Sequence, residues 1–299
     1  MSESKYIKIY KGDTFFPMEE IYRSEKYKNG KIIIFDLDET LGSFSDLYIL
    51  WKTLEKHVIN VNKMDTFSKV FDLYPEFLRH GILNILEFLY YKKQNGECSK
   101  IYIYTNNQCS GKISMDWVPS IIQCIESKIV NKGSSIPLFD EIVENLKIGA
   151  KNIDLKRISN EKTYLDFIKF TLLPKNTELC FIDNSFFPKM CGGNIYYIQP
   201  RSYYHYLKPN EIIDRFMISE VFQQLNYNGS CFETLLYEAF LEKRPFVNIL
   251  VLEKRLETDL LISQKLMYYI REFFYLYSRK IKTRKVRKKL GRFTIKKRK

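Results

Sequence analysis

Lys31-Ile-Ile-Ile-Phe-Asp-Leu-Asp-Glu-Thr-Leu-Gly-Ser-Phe44 is the stretch from which the rest of the chain is read. Lys31 to Phe35 is rich in β-branched and aromatic side chains and reads as a buried strand, entered from the Asn29-Gly30 turn. The strand runs straight into Asp36-Leu37-Asp38-Glu39-Thr40. In a parallel α/β sheet, chemistry gathers at the carboxyl edge of the strands, and Asp36 and Asp38 are expected there. Two carboxylates two residues apart cannot both be buried and charged without a compensating cation. A magnesium ion, a hard cation that takes oxygen ligands, would supply it.

The chain has 299 residues, room for one domain of roughly 190 residues and a smaller appendage. Apolar residues at 45% and charged residues at 28% are ordinary for a soluble globular protein. The net charge of +13 is a property of one segment: Arg279 to Lys299 holds 13 Lys or Arg and no acid, so residues 1–278 sum to about zero. The six Cys include no Cys-x-x-Cys pair, and His57, His80 and His205 lack metal-ligand spacing, which argues against a zinc site. Scattered cysteines point to an intracellular reducing compartment, nucleus or cytoplasm. Met1-Ser-Glu-Ser-Lys has no signal-peptide core, and no window approaches 18 uninterrupted apolar residues, so no membrane association is expected.

Residues 1–27 read as an N-terminal arm packed on the body, and residues 45–75 as a connecting region of weak periodicity, too short for a large cap. From Pro75 the chain reads as an amphipathic helix carrying Ile82, Ile85, Leu86 and Leu89 at helical spacing, with His80 at its start. After the Asn95-Gly96 turn, Lys100-Ile-Tyr-Ile-Tyr-Thr105 is a second strand, ending in Thr105-Asn106-Asn107. A hydroxyl at a strand end followed by backbone N–H groups can grip a phosphate oxygen, or it can simply close a polar turn. Val118 to Val130 reads as a helix, and Phe139-Asp-Glu-Ile-Val-Glu as a strand of a small insert. Glu178-Leu-Cys-Phe-Ile-Asp183-Asn184-Ser185 is a third strand with an acidic end, Asn194 to Pro200 a fourth, and Glu211 to Phe216 begins a closing helix. Residues 218–278 are helix-rich. Leu256, Leu260, Ile262, Leu266, Tyr269 and Phe273 form a stripe expected to pack on the body.

Asp36-Leu37-Asp38-Glu39-Thr40-Leu41 after an apolar strand resembles the first motif of the haloacid-dehalogenase superfamily of phosphatases. Within it, the run looks like that of the branch that dephosphorylates the C-terminal domain of RNA polymerase II, the NLI-interacting-factor-like family. Thr105 resembles the second motif, and Ile182-Asp183-Asn184-Ser185 resembles the fourth, with Phe186 where the family has Pro. Arg79-His80-Gly81 resembles the family's Arg-Pro-Gly, with His in place of Pro. The third motif is a lysine, for which Lys151, Lys156 and Lys162 are candidates. Lys162, before an Asp-Phe helix, matches best. The resemblance spans roughly residues 28–217. It implies a Rossmann-like parallel α/β sheet of the haloacid-dehalogenase type with a small insert, followed by a C-terminal helical extension at 218–278 and a basic tail at 279–299.

The resemblance further implies a metal-binding hydrolase that works through an aspartyl-phosphate intermediate. Asp36 would be the nucleophile and Asp38 the acid and base. Thr105, Asn106 and Lys162 would hold the phosphate. Magnesium would be held by Asp36, the backbone carbonyl of Asp38, Asp183 and Asn184. The implied substrate is phosphoserine or phosphothreonine in a phosphoprotein or phosphopeptide. A polynucleotide phosphatase, or a non-catalytic interaction protein anchored by its tail, are the alternatives. Retention of Asp38 speaks against the latter, because binding alone does not need the second carboxylate. Thiol-phosphatase chemistry fits poorly, since Cys191-Gly-Gly-Asn-Ile-Tyr-Tyr lacks the required arginine. The tail reads as a solubilising segment, a nuclear-import signal, or an arm for nucleic acid or another polyanion. It also resembles tails on proteins of large DNA viruses, which would allow a virion-associated viral protein.

Overall fold

Lys31–Phe35 is a strand buried at all five positions, as a continuous β-branched run demands of a strand covered on both faces. The computed structural model describes residues 5–17, 31–58, 63–107, 115–131, 133–144, 147–148, 151–152, 161–175, 177–225, 229–243 and 253–278. The basic tail and Lys156 lie outside the described residues. The strands in chain order are β1 (Ile7–Lys11), β2 (Phe15–Pro17), β3 (Lys31–Phe35), β4 (Cys98–Tyr104), β5 (Glu141–Val143), β6 (Lys147–Ile148), β7 (Lys151–Asn152), β8 (Leu179–Ile182), β9 (Ile195–Pro200) and β10 (Leu276–Ser278). The helices are α1 (Ser45–His57), α2 (Lys63–Asp72), α3 (Ile82–Gln94), α4 (Trp117–Ser127), α5 (Tyr164–Thr171), α6 (Pro209–Met217), α7 (Glu220–Gln223), α8 (Gly229–Lys243) and α9 (Glu253–Tyr275).

The architecture is α/β. Six strands form one sheet in the order β1-β9-β8-β3-β4-β5, parallel except for β1, which runs antiparallel to β9. This is compatible with a Rossmann-like fold. The chain steps outward from β3 to β4 and β5, then returns through α5 to β8 on the other flank of β3. Strand order therefore reverses between β3 and β8, and such a reversal leaves a crevice at the carboxyl ends of the strands. Alternation along β3 feeds both faces: Ile33 and Phe35 enter one core, Ile32 and Ile34 the other. Each such burial stabilises the fold by about 1.5–3 kcal/mol, so β3 is anchored from both sides before it delivers Asp36.

Several expectations are corrected. The N-terminal segment, expected to pack on the body, joins the main sheet itself. Its β1 is an edge strand of the main sheet, pairing Ile7 with Pro200 through Lys11 with Tyr196. Residues 45–75, read as a connecting region of weak periodicity, hold α1 and α2, because Leu47, Leu50, Trp51 and Leu54 bury a helical stripe and Trp51 meets Phe67 edge-on at 5.0 Å. Helix α3 starts at Ile82, after a 3-10 turn at Pro75–Phe77, and its N-cap is Gly81 at φ +68°, not His80. Only glycine adopts that backbone without strain. The strand expected in an insert is β5, at the edge of the main sheet. The backbone N–H of Asp140 donates to Ile101 and its carboxylate accepts from the Ile101 N–H at 2.7 Å, which fixes the register. A two-stranded antiparallel pair, β6–β7, follows it.

The C-terminal helices share the main core through Phe232, Leu236, Leu266 and Phe273. The buried stripe of α9 is Ile262, Leu266, Ile270 and Phe273, whereas Leu256 and Leu260 are exposed. Lys31 Nζ donates to the carbonyls of Phe273 (2.5 Å) and Leu276, which ties the start of β3 to the end of α9. Among the described residues, no helix is long and apolar enough to cross a membrane.

Candidate active site

Asp36 and Asp183 are the first residues past β3 and β8, and the sheet continues through them. Asp36 N donates to Ile182 O at 2.9 Å, and Asp183 N to Ile198 O at 3.2 Å. Their carboxylates thus stand side by side at the strand reversal. Lys162, 1% exposed, sits just before the N-cap of α5, where Thr163 Oγ1 accepts from Asp166 N. Its ammonium lies 2.5 Å from Asp36 Oδ1 and 2.5 Å from Asp183 Oδ2. The Tyr104, Phe181 and Phe187 rings surround it with centroids at 5.3–5.9 Å. Burial works against the charge on Lys162, but Asp36 and Asp183 outweigh it and hold the lysine above its ordinary pKa. Of the other candidate lysines, Lys151 lies in β7.

Asp38 accepts a hydrogen bond from Asn107 Nδ2 at 2.7 Å. Burial raises its pKa to about 6; the Asn107 bond opposes this and the neighbouring Asp36 adds to it. Asp183 is likewise raised, by burial first and Asp36 second, against the pull of Lys162 and the Ser185 N–H. Glu39 is raised to about 7 by burial and by Asp38 and Asp36. The direction is common to all three acids because burial disfavours the charged carboxylate, and the neighbouring carboxylates add to it.

Thr105 follows β4 and is buried. Its backbone N–H donates to Val143 O, and its hydroxyl accepts from Asn107 N at 3.0 Å. The Thr105-Asn106-Asn107 turn is thereby brought to Asp38, with Asn106 half-buried between its neighbours. Asn184 approaches from β8. One end of its side-chain amide lies 2.8 Å from Thr40 Oγ1, 3.1 Å from Asp38 O and 3.3 Å from Asp36 Oδ2, and the other end 3.0 Å from Ser202 Oγ.

The loop itself is held by groups that sequence reasoning did not assign. Glu39 takes a left-handed backbone, φ +56°. Arg79, 1% exposed, donates to the carbonyls of Glu39 (2.5 Å), Thr40 (2.6 Å) and Arg201 (3.0 Å). Arg79-His80-Gly81 was visible as a motif, but nothing local says that its guanidinium reaches back some forty residues to clamp the acidic turn.

A magnesium site was expected from Asp36, Asp38 O, Asp183 and Asn184. Among the described residues no group of three His, Cys, Asp or Glu gathers as metal ligands, so any site must be of mixed donors. The Asn184 amide supplies the test. With its nitrogen inward, it donates to Asp38 O and Asp36 Oδ2. With its oxygen inward, it completes a cluster of oxygen acceptors that a hard cation satisfies. The surplus of buried carboxylate over ammonium favours that cation, and the donor set fits magnesium. No family model matches the chain, nor does any curated protein or solved structure.

Proposed function

We propose that this protein is a magnesium-dependent phosphatase of the haloacid-dehalogenase type, acting on phosphoserine or phosphothreonine in a protein substrate. The observation that carries the reading is Lys162 Nζ bridging Asp36 and Asp183 at 2.5 Å each, with Asp38 at the same strand edge. The bridge keeps the Asp36 carboxylate fixed in orientation while leaving a lysine cation beside the place a phosphate would occupy. Asp36 attacks phosphorus and forms the aspartyl-phosphate as the bond to the leaving oxygen breaks. Asp38, whose burial keeps a protonated fraction near neutral pH, gives its proton to that oxygen. It then takes a proton from the water that cleaves the acyl-phosphate. Thr105, Asn106 and Lys162 hold the equatorial oxygens, where charge concentrates in a loose transition state. Magnesium, held by Asp36, Asp38 O, Asp183 and Asn184, would offset the repulsion between nucleophile and phosphate.

A macromolecular substrate is favoured because α1 and α2, which follow the acidic loop, bury their apolar faces in the main core. The test is hydrolysis of an aryl phosphate with magnesium or with EDTA. Turnover is expected in wild type with magnesium and none in Asp36→Asn. A well-folded protein that hydrolyses neither aryl phosphate nor phosphopeptide would overturn the reading.

A further inference from the structure

A groove of about 710 Å³ runs along α5, between that helix and the β8–β9 connection. Thr163, the residue after Lys162, is among its lining residues. Lys169, Lys175 and Lys189 line its course and are all exposed. Lys189 also pairs with Glu161 at 2.6 Å. The one carboxylate among the lining residues, Asp166, is buried. Leu165 stands 61% exposed over the groove. An eight-residue helix such as α5 is about 12 Å long, the span of roughly three to four extended residues.

These features select among anionic chains. Single-stranded nucleic acid is held on a series of aromatic platforms. The only ring among the residues lining this groove is Tyr164, and its hydroxyl is tied to Lys175 O at 2.6 Å. What the groove offers is lysine stems and heads with an aliphatic contact, which suits acidic and aliphatic amino acids. We propose that this groove binds an acidic segment flanking the phosphorylated residue of the protein substrate, with Lys169, Lys175 and Lys189 pairing its carboxylates or further phosphates. The inference rests on the phosphatase reading for the word substrate, but its binding content does not.

The experiment is fluorescence anisotropy on full-length Asp36→Asn protein. The probes are a labelled peptide of one phosphoserine followed by four glutamates and its counterpart with four glutamines. The glutamate peptide is expected to bind about tenfold more tightly at low salt, with the preference shrinking as salt rises. Lys169→Glu/Lys175→Glu, checked for folding by circular dichroism, is expected to abolish the preference, and Lys169→Arg/Lys175→Arg to retain it. Equal binding of both peptides, or a preference that survives charge reversal and so resides in the basic tail, would overturn the proposal. So would a single-stranded oligonucleotide of equal charge that binds more tightly and loses its binding in the same reversal. Because binding is read without turnover, a failed phosphatase assay leaves this result intact.

Discussion

Asn107 Nδ2 stands 2.7 Å from Asp38 Oδ2, a contact between the turn after β4 and the turn after β3. A donor on that oxygen favours the ionised carboxylate, and it offsets part of the rise to about 6 that burial causes. Asn107→Ala is therefore expected to raise the Asp38 pKa further. Turnover that needs the protonated acid should fall as pH climbs past about 6 in wild type, and this limb should move to higher pH in the variant. A pH–rate profile of kcat/KM on an aryl phosphate reads the shift.

Removing the cation between Asp36 and Asp183 leaves two buried carboxylates facing each other. Lys162→Met keeps the aliphatic stem and loses the charge. The expected cost is about 3–5 kcal/mol, the range for breaking a buried pair from one side, and it is measured by urea denaturation. Activity should be lost as well, and restoring wild-type stability by a remote mutation should not recover it.

The raised acids make a sign prediction. Asp38 rises from 3.8 to about 6 and Glu39 from 4.5 to about 7. Between about pH 4 and pH 7 the folded chain thus binds more protons than the unfolded one, so stability falls as pH rises through that window. The metal-free protein is expected to be less stable at pH 7.5 than at pH 5, by an amount on the order of 2 kcal/mol. Magnesium favours the deprotonated donors, so it should raise the melting temperature more at pH 7.5 than at pH 5. Calorimetry with magnesium and with EDTA at both pH values checks both parts.

Arg79 satisfies three carbonyls around the acidic turn. Arg79→Leu leaves the buried Thr40 carbonyl without this donor, while Glu39 O keeps only the Tyr203 N–H, at a cost of about 2–4 kcal/mol. Arg79→Lys should recover only part, because one ammonium cannot reproduce the fork. Both variants are expected to lower kcat by loosening Thr40 and Asp38, and thermal melts beside steady-state kinetics separate the two effects.

The four central strands were legible because a strand covered on both faces must be apolar throughout. Lys31–Phe35 and Ile195–Pro200 read directly as such runs. Strand β1 was not, since Ile7-Lys8-Ile9-Tyr10-Lys11 alternates like a surface ribbon and only its pairing with β9 makes it part of the sheet. Three-residue β5 is too short to carry a periodic signal. Helix α1 did carry one, Leu47-Leu50-Leu54, which the surrounding charged residues obscured. In the site, Asp36, Asp38, Asp183 and Lys162 could be picked out because they abut strong strands or a helix start. Asn107, Arg79 and Ser202 act through contacts made only when distant turns meet, and no local pattern encodes such a meeting.

The tie between Lys31 and the carbonyls of Phe273 and Leu276, with β2 paired to β10, has a consequence for how the protein matures. The strand that delivers Asp36 is made some 240 residues before these partners, and its first residue finds them only after residue 276 has left the ribosome. Strand β2 must likewise wait for residues 276–278. A growing chain can assemble the inner strands, but its base stays open until the last described helix arrives. Maturation of the acidic turn thereby waits on residues 273–278, and a chain cut before them should leave the base of β3 open.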